Sequence, residues 1–131
     1  MRTAVTTIAV ALVLALVVAA SASASIYRGS ARDDAQMSVK LALSGDSLTF
    51  KYSNVRTGCT DGSEVRQGGA EHNTVLNELG KFKDTFEVGG ATSLVRGSVQ
   101  GRKATGIVSF DLIYDGGECH SDKVEWKAKR K

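Results

Sequence analysis

Two cysteines, two histidines and fourteen carboxylates are the side chains of this 131-residue chain from which acid–base, metal or thiol chemistry would have to be built. Their spacing favours little of it. Cys59, Cys119, His120 and His72 could in principle ligate a metal, but there is no C-x-x-C and no paired histidine spacing. An activated thiol at Cys119 beside His120 is equally disfavoured, because neighbours on an extended chain point to opposite faces. Serine hydrolysis needs an oriented base, yet His72 reads as part of an irregular loop and His120 sits next to a cysteine expected to be paired. The chain has no G-x-S-x-G, H-E-x-x-H or phosphate-binding glycine loop, and Gly101-Arg102-Lys103 is too short for the last.

The carboxylates Asp33, Asp34, Asp61, Glu64, Asp115, Glu118 and Asp122 fall near turn signals. There they shape turns and solubilise more readily than they converge on a scissile bond. A calcium site from Asp61, Asp115 and Asp122 would have no EF-type loop behind it. The expectation is therefore no catalytic residue, no metal ligand and no cofactor.

Two features remain. Cys59 and Cys119 are most simply a disulfide in an oxidising compartment. Closing a loop of that length contributes about 4 kcal/mol in the chain-entropy description. Lys127, Lys129, Arg130 and Lys131 form a basic cluster able to attract anionic glycans, lipids or cell-wall polymers. The same four residues would also suit a solvated tail that keeps a terminal strand from edge pairing. With a net charge of +3, falling to about +2 without Arg2, the chain does not suggest a nucleic-acid partner.

The oxidising compartment is implied by the first two dozen residues. Arg2 precedes an apolar run from Ala4 to Ala20, broken only by Thr6 and Thr7, and small residues follow to Ser25. This is the order of a secretory signal, with cleavage expected after Ala24. Residues 1–24 then form the signal peptide and 25–131 the secreted domain, extracellular and without a membrane segment after cleavage. Setting the signal aside lowers the apolar content from 42% to about 35%. Leu, Ile, Val and Phe then reach barely a fifth of the domain, close to the level at which chains stop folding.

The elements that must hold these residues read as strands. Glycine, at 14 residues, marks the turns and proline is absent. Turn signals fall at Ser44-Gly45-Asp46, Asp61-Gly62, Gly68-Gly69, Gly80, Gly89-Gly90, Gly101-Arg102 and Asp115-Gly116-Gly117. Between them Met37, Val39, Leu41 and Leu43 alternate with polar or small residues, as do Leu48, Phe50 and Tyr52. Gly106, Val108, Phe110, Leu112 and Tyr114 form the longest alternation, and Val124, Trp126 and Ala128 the last. Asn73 to Gly80 resists this reading and fits either a single helical turn or a loop. The fold class is all-β: one antiparallel sandwich, or a flattened barrel, of about 7–9 short strands with one disulfide.

A cadence in the second half carries a resemblance. Gly97-Ser98-Val99-Gln100-Gly101-Arg102-Lys103-Ala104-Thr105-Gly106 has the form G-x-Φ-x-G-x-x-A-x-G and leads, after a strand, to Cys119-His120-Ser121-Asp122. With Cys59 beside Asp61-Gly62, residues 25–131 resemble small secreted β-sandwich domains of actinobacteria and related bacteria. The resemblance implies the fold and the Cys59–Cys119 bridge, and brings no activity with it. Such domains often carry glycine where His120 and Asp122 stand here.

Together these readings favour an exported, non-enzymatic binding or structural module. Its partner would be an extracellular protein or glycan, and a monomer is expected. The alternatives are an inhibitor of an extracellular enzyme, presenting Arg66–Asn73 or Asp115–His120, and a small carboxylate-dependent hydrolase or lyase.

Overall fold

A computed structural model describes residues 24–131. The expected signal segment, residues 1–24, lies outside the described residues apart from Ala24. Eleven strands follow one another: β1 (Ser25–Ala31), β2 (Asp34–Ser44), β3 (Ser47–Ser53), β4 (Val55–Cys59), β5 (Glu64–Gln67), β6 (Ala70–Val75), β7 (Lys81–Val88), β8 (Ala91–Gln100), β9 (Lys103–Tyr114), β10 (Gly117–His120) and β11 (Val124–Arg130). Among the described residues there is no helix. Asn73 to Val75 complete β6, and Asn77 closes the turn that follows, its Oδ1 accepting the N–H groups of Leu79 and Lys81 at 2.9 Å.

The strands form one antiparallel sheet that curls on itself. Its main path runs β6-β3-β2-β1-β11-β9-β8-β7. β9 is long enough to divide one edge between two partners: Lys103 to Val108 pair with β11, and Asp111 to Tyr114 with β10. From β10 the sheet continues through β4 to β5. The count exceeds the expected 7–9 because β4, β5 and β10 are only five, four and four residues long and carry no apolar alternation.

The path's two ends, β6 and β7, come back side by side without a ladder between them. At one end of this seam the Asn77 N–H donates to the Lys81 carbonyl at 2.9 Å. Further along, Thr74 Oγ1 donates to the Lys83 carbonyl at 3.3 Å.

Of the residues the alternation marked, Met37, Val39, Leu41, Leu48, Phe50, Tyr52, Val108, Phe110, Trp126 and Ala128 are buried, Leu43, Leu112 and Val124 are partly buried, and Tyr114, at the end of β9, is exposed. Phe50 is the hub, with its ring centroid 4.8 Å from Trp126, 6.0 Å from Tyr52 and 6.1 Å from Phe82. Gly97 and Gly106 pair across β8 and β9 under the Trp126 ring. A Cβ on either would come within 2.8 Å of Trp126 Cζ2, so the indole occupies the room that two side chains would need. The disulfide joins the directly opposed residues Cys59 and Cys119 and fastens the β4–β5 hairpin to β10.

Candidate functional site

Polar chemistry inside the sheet centres on His72. It lies on β6 opposite Phe50, facing inward and only 1% exposed, which corrects its expected place in an irregular loop. The strand escapes a sequence reading because its inward residues, Ala70, His72 and Thr74, are small or polar. His72 Nδ1 lies 2.7 Å from Asp84 Oδ2, and Nε2 lies 2.7 Å from Ser93 Oγ. Ser93 Oγ in turn lies 2.5 Å from the Tyr52 hydroxyl. One assignment satisfies every member: Tyr52 O–H donates to Ser93, Ser93 O–H to Nε2, and Nδ1–H to Asp84. Burial pushes the Tyr52 hydroxyl up to about 12, against the lowering effect of its bond with Ser93.

Asp, His and Ser in this order have the geometry of a nucleophilic relay. The surroundings argue for another role. Ser93, His72 and Tyr52 are each 1% exposed, and the Ser93 hydroxyl is engaged on both sides, so no substrate carbonyl can reach it. What the four residues do is tie β6 to β7 and β8, and β3 to β8, across the seam where β6 and β7 have no ladder. His72 is further held by the Phe86 ring, with centroids 4.6 Å apart.

Outside, His120 on β10 bridges two carboxylates, Nδ1 to Asp111 Oδ1 at 2.7 Å and Nε2 to Glu118 Oε2 at 3.0 Å. The bond to Asp111, then that to Glu118, raises its proton affinity above that of an ordinary histidine. Of the other acids considered, Asp34 pairs with Arg66 at 2.9 and 3.1 Å. Asp61 is turned into its own loop, accepting the Ser63 N–H at 2.8 Å. Among the described residues no three His, Cys, Asp or Glu side chains are placed to hold a metal ion. Arg66–Asn73 spans the end of β5, the Gly68-Gly69 turn and most of β6, while Asp115–His120 is a tight turn and β10.

The basic cluster expected at the C-terminus is divided by strand alternation. Lys127 and Lys129 face out; Arg130 is opposite Tyr27, on the alternate side of β11, with Nη1 3.5 Å from Ser25 Oγ. Lys131 follows the end of β11.

Register then adds cations the sequence holds far apart. Lys103 on β9 is opposite Lys129, Lys129 opposite Arg28, Arg28 opposite Lys40, and Lys40 opposite Lys51. These five residues form one line across five adjacent strands on the outer face, and all five are exposed. At 4.7–4.9 Å between strands, the line is about 19 Å long at the backbone. Among the described residues none of the five is paired with a carboxylate, and the line ends on β6 at Glu71. Like charges side by side repel, so selection for sheet stability alone would not favour this arrangement.

A second line, eight residues further along β9, has the opposite character: Glu87, Thr92, Asp111, His120, Gly58 and Glu64 are successive partners across β7, β8, β9, β10, β4 and β5. Eight residues of strand separate the two lines by about 26 Å. Three of the second line's six members are acids, and Arg56 and Arg66, opposite one another and two positions from Gly58 and Glu64, share that face.

No family model, curated protein sequence or solved structure matches the chain.

Proposed function

We propose that this chain is an exported, non-enzymatic β module that binds an anionic polymer at the cell surface or in the surrounding medium. The observation that carries the reading is the line Lys103, Lys129, Arg28, Lys40 and Lys51: cations in register on one sheet, none in a salt bridge among the described residues. A sheet holds such charges at fixed spacing without the ordering cost of a flexible basic tail. Export is supported by the N-terminal segment and by a disulfide formed between the chain's only two cysteines. A non-enzymatic role is supported by the burial of Ser93, the one hydroxyl among the described residues aligned with an Asp–His pair.

The test is retention of the purified exported protein on immobilised polygalacturonate, compared with a variant carrying Arg28→Gln, Lys40→Gln and Lys51→Gln. Each cation near an anionic surface contributes about 1 kcal/mol. Removing three should weaken binding roughly a hundredfold while leaving the fold unchanged. Equal retention of the two proteins would refute the proposed surface.

A further inference from the structure

Beside the line of cations runs a line of hydroxyls. Ser98 on β8 is opposite Thr105, Thr105 opposite Lys127, Lys127 opposite Ser30, Ser30 opposite Ser38, and Ser38 opposite Ser53. Thr105, Lys127, Ser30, Ser38 and Ser53 are each two positions along their strands from a member of the cation line, so they share the outer face about 6.7 Å away, and Ser98 extends their line onto β8. Ser38 and Ser53 are hydrogen-bonded to each other at 2.6 Å, and Ser30 donates to the Ala31 carbonyl at 3.1 Å. A hydroxyl carries one donor and two acceptor lone pairs, so each retains capacity for an incoming group.

We infer that the polymer taken by this face is an acidic polysaccharide, its carboxylates on the cation line and its free sugar hydroxyls on the line of Ser and Thr. This deepens the proposed polyanion binding and depends on it. Three features of the face favour a glycan over other polyanions. The hydroxyl line complements a ligand that both donates and accepts hydrogen bonds, which a phosphate chain does not do. The aliphatic stem of Lys127, which stands within the hydroxyl line, can cover the apolar face of a sugar ring. Single-stranded nucleic acid, by contrast, needs exposed aromatic platforms for its bases. Tyr27, Tyr52 and Trp126 on these strands all point inward and are buried.

The experiment measures affinity of the full exported protein, at fixed ionic strength, for polygalacturonate, polyacrylate, polyphosphate and single-stranded DNA. A second protein carries Ser38→Ala, Ser53→Ala and Thr105→Val. The wild type should bind polygalacturonate about tenfold more tightly than polyacrylate, whose carboxylates come without hydroxyls. The hydroxyl variant should lose that preference and keep its affinity for polyacrylate. Equal affinity of the wild type for both carboxylate polymers would overturn the inference, as would preference for polyphosphate or DNA; either leaves polyanion binding standing. Binding to none of the four would remove polyanion binding itself. Unchanged thermal melting of the variant separates a binding loss from a folding defect.

Discussion

At the scale of single residues, the relay through Tyr52, Ser93, His72 and Asp84 holds the seam together by hydrogen bonds where backbone pairing is missing. Ser93→Ala leaves the Tyr52 hydroxyl and His72 Nε2 without partners in a buried site. It should destabilise the fold by about 2–3 kcal/mol in denaturant titration. A change below about 0.5 kcal/mol would mean the relay contributes little to closure. A second residue-scale effect is pH-dependent. The hydrogen bond from Arg66 holds the Asp34 carboxyl below the usual carboxylate range. A group with a depressed folded pKa adds stability that is present above its unfolded value, about 3.9, and is lost as pH falls through the lower folded value. Asp34→Asn should therefore flatten the acid limb of the stability profile and cost less at pH 2 than at pH 7. Apart from the inward placement of Tyr52, the relay was not legible in the sequence. Asp84, His72 and Ser93 are members of three separate strands, and an inward polar residue leaves no apolar signal to mark it.

Alternation made several elements readable at the next scale. β2, β3, β9 and β11 show their buried faces as Met37-x-Val39-x-Leu41, Leu48-x-Phe50-x-Tyr52, Val108-x-Phe110 and Trp126-x-Ala128. The hairpin at Gly101-Arg102 was equally plain, because a positive φ at Gly101 is a turn requirement that glycine advertises. β4, β5 and β10 were obscure because they bury at most one apolar residue each, Val55 on β4 and Cys119 on β10, and their pairing comes from tertiary contact and the disulfide. The β4–β10 ladder has only two residue pairs, Cys119 with Cys59 and His120 with Gly58. Replacing both cysteines with serine should cost about 2–4 kcal/mol. Amide exchange should accelerate first in β4, β5 and β10, with β2 and β3 still protected. Uniform acceleration through all strands would instead show that the bridge supports the whole sheet equally.

For the whole molecule, the organising feature is charge brought into line by register: cations on β9, β11, β1, β2 and β3, and the acids Glu87, Asp111 and Glu64 on β7, β9 and β5. Composition gives a net charge of +3, which hides both. A sequence reading found Lys127 and Lys129 by their nearness in the chain. It could not find Arg28, Lys40, Lys51 and Lys103, which meet Lys129 only through strand register. The most direct test is the salt dependence of binding to polygalacturonate for the wild type and for the Arg28→Gln, Lys40→Gln, Lys51→Gln variant. A plot of log affinity against log salt should fall steeply for the wild type. The slope should be shallower by roughly one unit for each cation removed. Identical slopes for the two proteins would contradict a binding surface on this face of the sheet.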